Sequence, residues 1–466
     1  MVSENEKDAG ARPFRPSQVV VFDGENGQLV TTNGVVPALD SPAEPSFWPG
    51  PPETVEESGL LLPFVEDHLV RLLYFGQQMT GAQLAAACGL PYATMASVLH
   101  GLSRDHLVEV VGQDSMLDSG YRYALAPKGR VRADEALHRT WYHGPLPVPL
   151  NQYVAAIKAQ SVAGLTIRRD ALRDAFSDLV ISEEFLDRIG PAVNAATSIF
   201  LYGAPGNGKT VIAERITRVI SGTIFLPHAV EVDGSIIMLY DELNHKLVDK
   251  PPAQRHDGRW MRVRRPVVVA GGELTLASLD LIWNEVGRFY EAALQMKANG
   301  GIFLIDDFGR QLVRPADLLN RWIVPLERRI DYLTLQTGKK LELPFDQLLI
   351  ISTNLNPAEL ADEAFQRRIR FRVVVDDPDE AQFTEVFKDV CAARKVRFDP
   401  AALEWLLATW WRPHNRPMRM VQPRDLVNQL VAIAQYLGRE PIMEPELLDR
   451  ACRSYFLTVR DPVGSR

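Results

Sequence analysis

The clearest indication of the fold is one segment in the middle of the chain, Ile199-Phe-Leu-Tyr-Gly-Ala-Pro-Gly-Asn-Gly-Lys-Thr210. Residues 203–210 fit the pattern G-x-x-x-x-G-K-[ST], which is typical of a phosphate-binding P-loop. The apolar run before the loop predicts a buried strand, and residues 211–220 carry a helical pattern after it. Glycines let backbone N–H groups approach a triphosphate closely, and the N-terminal end of the helix favours negative charge. A glycine-rich turn that only joins strand to helix would need neither the lysine nor the threonine. The stretch therefore predicts that the chain binds a nucleoside triphosphate.

The residues of this loop have distinct predicted roles. We expect Lys209 to reach the β- and γ-phosphates and the Thr210 hydroxyl to ligate Mg²⁺. The rest of the predicted nucleotide-binding set surrounds these two residues: Gly203, Pro205, Gly206, Asn207, Gly208 and Val211.

A second apolar run, Gly301-Ile-Phe-Leu-Ile-Asp306-Asp307, ends in two carboxylates about a hundred residues after the P-loop. This is the Walker B pattern, in which Asp306 would hold Mg²⁺ together with Thr210. Asp307 would orient or deprotonate the attacking water. The alternative is an acidic pair at the end of a surface strand, which the four apolar residues before Asp306 disfavour.

The composition limits the other functions that the chain can have. The chain has 466 residues, 46% of them hydrophobic and 24% charged, with a net charge of −8. The length and composition predict a globular protein of about three domains. The negative net charge predicts no overall electrostatic attraction to nucleic acid or anionic lipid. The three cysteines, Cys88, Cys391 and Cys452, lack metal-ligand spacing and suit buried thiols in a reducing compartment. The polar N-terminus and the lack of a long apolar run predict a cytoplasmic protein without a membrane segment.

The chain before the P-loop divides by its pattern into a largely irregular tail (1–58), a module (59–145) and a linker (146–159). The module has helical patterns at 64–75, 80–90 and 91–104, and then two short alternating runs. This order resembles a winged helix-turn-helix-like α+β module, whose third helix often enters the DNA major groove. The module carries seven basic and eight acidic residues, and such a balance is unfavourable for phosphate contacts. We expect a protein client or adaptor to bind here, with DNA as the alternative.

The remaining chain predicts an α/β nucleotide-binding domain (160–377) with a β-rich insertion (227–275), and then a helical domain (378–460). Helices are also expected at 276–298 and 310–329. Val180 and Ile181 are candidates for contact with the base, or else ordinary core residues. Four arginines of the insertion would face a phosphate, a nucleic acid, another subunit or solvent: Arg259, Arg262, Arg264 and Arg265.

The order of P-loop, Walker B, a strand ending at Asn354, an arginine-rich turn and C-terminal helices resembles the AAA+ ATPases over residues 160–460. The resemblance implies a P-loop NTPase core with a parallel sheet flanked by helices, a C-terminal helical lid, and hydrolysis of ATP with Mg²⁺. Asn354 matches the sensor 1 position. Arg367 or Arg368 matches the arginine finger that reaches a neighbouring subunit's site, and Arg368 is preferred because Ile369 follows it. Arg424 matches sensor 2.

The resemblance also implies a homo-oligomer, expected to be a hexameric ring that remodels a protein client. Two features depart from the family pattern. Asp307 stands where the family has glutamate, which leaves open a nucleotide-switch scaffold that hydrolyses ATP weakly. Phe289-Tyr290 is the only aromatic pair that the sequence offers for a pore loop, and its predicted helical setting favours a core role. A DNA-associated ATPase that uses the winged helix remains the other alternative.

Overall fold

The computed structural model describes residues 45–248, 255–356 and 367–456, together with the backbone of three short strands before them. These strands, Val20–Asp23 (β1), Gln28–Thr31 (β2) and Gly34–Val35 (β3), form a small antiparallel sheet. Most of the expected irregular tail lies outside the described residues. Its last part, from residue 45, packs onto the chain instead, because the Trp48 indole N–H donates to the Arg255 carbonyl and the Thr94 hydroxyl donates to the Pro52 carbonyl.

The elements from residue 62 to residue 139 share one hydrophobic core. They are Leu62–Gly76 (α1), Gln78–Thr80 (β4), Gly81–Cys88 (α2), Tyr92–Arg104 (α3), Val108–Gln113 (β5), Tyr121–Leu125 (β6) and Pro127–Arg139 (α4). Thr80 begins α2 because its side chain accepts the Gln83 N–H, and Gly89 ends it in a left-handed conformation with φ of 73°. The strands form an antiparallel sheet in the order β4-β6-β5.

The next elements lead into the main sheet. They are Val148–Pro149 (β7), Leu150–Ala159 (α5), Arg169–Ala175 (α6), Glu183–Asn194 (α7), Ser198–Tyr202 (β8), Lys209–Val219 (α8), Thr223–Pro227 (β9), Ala229–Val232 (β10), Ser235–Met238 (β11), Trp260–Arg264 (β12), Val267–Ala270 (β13), Ile282–Asn284 (β14), Phe289–Glu291 (β15), Leu294–Lys297 (α9) and Ile302–Ile305 (β16).

The remaining elements complete the sheet and form the C-terminal helices. They are Pro315–Arg321 (α10), Ile323–Arg328 (α11), Ile330–Thr334 (β17), Lys340–Pro344 (β18), Leu348–Thr353 (β19), Phe371–Val374 (β20), Glu380–Ala393 (α12), Pro400–Leu406 (α13), Val421–Tyr436 (α14) and Pro445–Tyr455 (α15).

The main sheet is parallel, with strand order β13-β16-β19-β8-β20. Helices cover both faces: α6, α7 and α8 contribute to the core on one face, and α10 and α11 to the core on the other. This burial explains why β16 and β19 are buried along their whole length. Because β8, β19 and β16 are neighbours, the residues that follow their carboxyl ends lie side by side. The chain thus has the expected parallel sheet flanked by helices.

Four expectations about this region need correction. The predicted linker 146–159 is packed, because β7 pairs with β10 and α5 buries Tyr153, Ala156 and Ile157. Residues 276–298 are mostly not helical: they form the β14–β15 hairpin and the short α9. Within 310–329 the helices begin only at Pro315. The strand β13, expected in the β-rich insertion, is an edge strand of the main sheet.

A mixed sheet and a separate ladder lie beside the main sheet. The mixed sheet has the order β14-β15-β11-β10-β7, and β12 pairs antiparallel with β9. Together with α5 and the β17–β18 hairpin they enclose a core of their own. This arrangement explains the burial of α5, because its apolar face closes that core.

The C-terminal helices α12 to α15 bury a further core that includes Cys391 and Cys452. Asp379 begins α12 with a capping box formed with Gln382. All three cysteines are buried and free, and burial raises the pKa of Cys391 to about 11 and that of Cys452 to about 12. No single helix in the described ranges is long and apolar enough to cross a membrane. One pair bent by 115°, α2 with α3, meets that test of length and composition together.

Candidate functional site

The P-loop follows β8 and ends where α8 begins, at Lys209. Gly206 and Gly208 have φ values of 86° and 82°, in the left-handed region where a side chain would be strained. Lys209 is buried, and its ammonium donates to the carbonyls of Gly203 and Ala204 at 3.1 and 3.0 Å. Burial lowers the pKa of Lys209, and the nearby carboxylates of the β16 end oppose this shift. The sequence has therefore formed the loop that its pattern predicted.

The two carboxylates after β16 lie beside this loop. The Thr210 hydroxyl donates to Asp306 Oδ2 at 2.8 Å. The Asp307 backbone is left-handed, with φ of 48°, a conformation that aspartate and asparagine tolerate better than most residues. Asp306 thus faces the start of α8, while Asp307 lies at the turn that leaves the sheet.

Asn354, directly after β19, connects the two halves of this arrangement. Its Oδ1 accepts a hydrogen bond from Lys209 Nζ at 2.6 Å, and its Nδ2 donates to Asp307 Oδ1 at 3.3 Å. The central place of β19 between β8 and β16 makes this bridge possible. Lys209, Thr210, Asp306, Asp307 and Asn354 therefore form one connected cluster at the carboxyl edge of the sheet.

A cavity of about 610 Å³ opens from this cluster, a size that suits a nucleotide. Its walls include the P-loop with Pro205 and Val211, and the half-buried Val180 and Ile181. Arg424, in the first turn of α14, also lines the cavity, and its guanidinium is paired with the adjacent Asp425. The cavity thus brings the P-loop, Val180, Ile181 and Arg424, which the sequence singles out as nucleotide-binding candidates, around one space.

The segment that carries Val180 is fixed to the P-loop helix by an ion pair that the sequence did not reveal. Arg215 of α8 donates to both carboxylate oxygens of Asp178, at 2.7 to 3.1 Å. The Arg215 side chain is only 5% exposed, and that of Asp178 is 13% exposed. Charges buried this far need a partner, so the pair holds the cavity wall against the helix. Because 37 residues separate the two, no local pattern could indicate the pair.

The P-loop is also joined to the C-terminal helices. The Asn207 side chain, 3% exposed, donates to the Asp377 carboxylate at 2.7 Å and to the Asp376 carbonyl at 3.3 Å. Its Oδ1 accepts the Met420 N–H at 3.4 Å. The Val421 N–H, at the start of α14, donates to the Gly206 carbonyl at 2.9 Å. The position of α14 is therefore tied directly to the loop.

The two arginine finger candidates lie away from this cluster. The Ser198 hydroxyl, at the amino end of β8, donates to the Arg368 carbonyl, and the Arg368 guanidinium is paired with Glu327. A strand as long as β8 spans roughly 16 Å, so this position is at the end of the sheet opposite the P-loop. Arg367 is exposed beside it. The rest of the arginine-rich motif before Arg367 lies outside the described residues.

The other candidates from the sequence take part in internal contacts. Arg259 is buried and paired with Asp257, and Arg265 donates to the carbonyls of Gln160 and Gly300. Arg262 donates to the Thr223 hydroxyl, and Arg264 is exposed. Phe289-Tyr290, predicted to lie in a helix with a core role, lies on strand β15 instead. Its Tyr290 is buried, and the Tyr290 hydroxyl accepts the Gln336 N–H.

The chemistry of the cluster fits a metal held jointly with a phosphate. Mg²⁺ takes oxygen ligands and is usually bound by one or two protein groups together with substrate phosphates. The hydroxyl of Thr210 and the carboxylate of Asp306 are such oxygens. Among the described residues, no group of three or more His, Cys, Asp or Glu side chains could hold a metal on its own. Shared coordination is therefore the mode that these residues fit.

Comparison with known proteins gives one family match and several distant structural likenesses. Residues 379–454 match a family described as a domain of unknown function, DUF8689, and no curated protein matches the chain. The chain is similar to the Thermotoga maritima RuvB Holliday junction branch migration motor, at 13% identity and a TM-score of 0.35, over 61% of this chain and 73% of that one. It is also similar to domain III of the Thermotoga maritima replication initiation protein DnaA, at 12% identity and a TM-score of 0.36, over 63% of this chain and 100% of that one. NtrX from Brucella abortus is similar at 15% identity and a TM-score of 0.33, over 67% of this chain and 58% of NtrX.

Proposed function

We propose that this chain is an AAA+-type ATPase that binds ATP with Mg²⁺ between its parallel sheet and its C-terminal helices, and hydrolyses it. The observation that carries this proposal is the connected cluster of Lys209, Thr210, Asp306, Asp307 and Asn354 beside a nucleotide-sized cavity. The cluster combines a cation for phosphate, oxygens for a metal and a carboxylate next to an amide, which are the parts that phosphoryl transfer to water needs.

Each side chain has a defined task in this proposal. Lys209 binds the terminal phosphates, while Thr210 and Asp306 hold Mg²⁺, which neutralises phosphate charge when bound. Asp307 orients the attacking water and accepts its proton. Asn354 holds the side chains of Asp307 and Lys209 in fixed positions relative to each other. Val180 and Ile181 contact the base, and Arg424 contacts the phosphates from α14, which forms part of the lid.

The proposed active form is a homo-oligomer, expected to be a hexameric ring. The support is positional: Arg368 and Arg367 lie at the end of the sheet opposite their own P-loop, beside Ser198. Neither arginine can therefore serve its own site, whereas each can serve the site of a neighbouring copy. Mixing Lys209→Ala chains with Arg368→Ala chains tests this arrangement. Each variant alone should be inactive, and the mixture should regain activity because some sites combine an intact loop with an intact arginine. A mixture as inactive as its parts, or a chain that stays monomeric with a slowly hydrolysed ATP analogue, would contradict the ring.

We propose a protein client or adaptor as the partner of residues 59–145, which we interpret as a winged-helix-like module. The start of α3, where a recognition helix would meet base edges, is packed against the chain itself. The Thr94 hydroxyl donates to the Pro52 carbonyl, and Gly89 lies against the backbone of Gly258 so closely that an added Cβ would be 2.6 Å from it. This packing disfavours the DNA-associated alternative. A gel shift of the full chain across salt concentrations separates the two, because DNA contacts predict affinity that falls steeply with salt.

Phosphate release and binding of a fluorescent ATP analogue test the enzymatic proposal. The wild type should bind the analogue and release phosphate, whereas Lys209→Ala should lose both. Asp307→Asn should bind normally and hydrolyse about 10²-fold more slowly or worse, because the proton acceptor is removed. Lys340→Ala changes an exposed lysine of β18 and serves as the matched control. A wild type that binds the analogue but is as inactive as Asp307→Asn would instead favour the nucleotide-switch scaffold.

A further inference from the structure

The turn that carries Asp307 has an unusual backbone. Asp307 has φ of 48° and Gly309 has φ of 104°, so the chain is left-handed twice within three residues. Strand β19 holds one side of this turn: the Phe308 N–H donates to the Ser352 carbonyl, and the Thr353 hydroxyl donates to the Phe308 carbonyl. Within the turn, the Arg310 N–H donates to the Asp307 carbonyl at 3.0 Å. A left-handed non-glycine residue usually persists only where its surroundings hold it. The direction of the Asp307 carboxylate therefore depends on what holds the other side of the turn.

Gln311 holds that side with one carboxamide. Its Nε2 lies 3.1 Å from the Asp306 carbonyl, 3.4 Å from the Asp307 carbonyl and 3.3 Å from the Gly271 carbonyl. Its Oε1 accepts the Gly309 N–H at 2.7 Å. Gln311 is buried, with 9% exposure, so water competes little for these groups. A carboxamide supplies both donors and an acceptor at one place, which neither an acid nor an amine of this size provides.

The contacts of Gln311 fix three separate pieces of backbone relative to one another. Gly271 follows β13, Asp306 follows β16, and Gly309 belongs to the turn itself. Within the described residues, the Asp307 carboxylate accepts one side-chain hydrogen bond, from Asn354 at 3.3 Å, which is long and therefore weak. The turn backbone thus constrains where that carboxylate points, and Gln311 holds it together with the Asp307 N–H bond to Asp306 and the Arg310 N–H bond to the Asp307 carbonyl.

We propose that Gln311 is a positioning residue for hydrolysis, which sets the orientation of the Asp307 carboxylate toward the attacking water. This proposal rests on the proposed ATPase function. Gln311 is not among the residues that line the nucleotide cavity. Its loss should therefore slow the chemical step and leave nucleotide binding intact. No local pattern predicts this role, because a glutamine four residues after a carboxylate matches no motif.

The test compares the full-length chain with Gln311→Ala and Gln311→Glu. We expect kcat to fall about 10- to 100-fold in both variants, because a displacement of about 1 Å at a reacting group has an effect of that order. The dissociation constant of a fluorescent ATP analogue should stay within about twofold, since the binding residues are untouched. Gln311→Glu keeps the shape of the side chain, so its defect cannot come from a cavity; its carboxylate would face three carbonyl oxygens. Gln336→Ala, the same change at an exposed position of the β17–β18 turn, should leave kcat unchanged.

A double-mutant cycle separates positioning from general loss of structure. In an Asp307→Asn chain, adding Gln311→Ala should lower the residual rate by less than about twofold, because the two residues act as one unit. A further loss as large as that seen in the wild-type chain would overturn the proposal, as would unchanged kcat in both Gln311 variants or weakened nucleotide binding in both. A wild type without any phosphate release would overturn the ATPase function and this proposal together, whereas an active wild type with active Gln311 variants would overturn this proposal alone.

Discussion

Replacement of Asn207 by alanine should loosen α14 from the P-loop. Asn207 joins three parts of the chain: the loop itself, the connector at Asp376 and Asp377, and the start of α14 at Met420. Alanine removes these contacts without adding bulk or charge. The Arg419–Asp377 ion pair remains, so the helix should become looser without separating from the sheet.

The size of the effect follows from the hydrogen bonds. The 2.7 Å bond to the Asp377 carboxylate involves a charged acceptor and contributes about 1.5–3 kcal/mol. The contacts at 3.3 and 3.4 Å are long and contribute less. A total loss of about 2–3 kcal/mol corresponds to a shift of roughly 30- to 150-fold in the local opening equilibrium.

Amide hydrogen exchange measures this opening directly, because the Met420 and Val421 N–H groups donate to Asn207 and Gly206. In Asn207→Ala, the protection of a peptide over residues 419–424 should fall by that factor, while β16 and β19 keep theirs. Arg439→Ala, at an exposed ion pair beyond the far end of α14, is the control and should leave the peptide unchanged.

The reasoning would be refuted by a peptide 419–424 whose protection in Asn207→Ala stays within about threefold of the wild type. That result would mean that the Arg419–Asp377 pair, the Val421–Gly206 hydrogen bond and apolar packing are enough to hold the helix. Equal loss of protection in β16 and β19 would also refute it, since it would indicate global destabilisation.

Two further predictions concern stability. Arg215→Met should lower the free energy of unfolding by about 3–5 kcal/mol in urea titration, because the largely buried Asp178 carboxylate loses its main partner. Arg439→Met, at a solvent-exposed ion pair, is the control and should change the free energy of unfolding far less. His228 should make stability depend on pH, because burial lowers its pKa from 6.5 to about 4. The folded chain keeps this histidine neutral, so the unfolded chain takes up the proton first, and stability falls as the pH drops from about 6.5 toward 4. Between pH 7 and pH 5 the wild type should lose up to about 2 kcal/mol more than His228→Gln, measured by urea midpoints at each pH.

The phosphate side of the candidate site could be predicted because its residues end apolar strands. Asp306 and Asn354 directly follow runs of buried strand residues, and Lys209 follows another such run after the P-loop. Parallel strands place such ends along one edge. The strand order that puts Asn354 between the other two could not be predicted, because no local pattern records which strands are neighbours. For the same reason the sequence places β13 in the insertion, because a short apolar run has the same pattern in either sheet.

The prediction of a helix over 276–298 is wrong for a local reason. The segment is apolar at nearly helical spacing, but Asn284 organises a turn: its side chain accepts the Gly287 N–H and its carbonyl accepts the Arg288 N–H. Arg288 is left-handed, with φ of 52°. Trp283 and Tyr290 then pack as a cross-strand aromatic pair, at 4.8 Å between ring centroids. Trp283 and Tyr290, which contribute to the helical pattern in the sequence, therefore stabilise the hairpin in the structure.

The aspartate at position 307 takes on a different meaning once its backbone is known. In the sequence, it stands where the AAA+ pattern has a glutamate, and its side chain is shorter by one methylene. That difference suggests a carboxylate too far from the proposed attacking water. In the structure the left-handed backbone at Asp307 changes the direction in which the side chain leaves the sheet, and aspartate is among the residues that tolerate this conformation. Because the turn and the short side chain are compatible with each other, reach alone does not decide whether the proposed reaction is fast. The rate depends on how firmly the turn is held, and in the described part of the chain three side chains hydrogen-bond to Asp307: Gln311, Asn354 and Asp306.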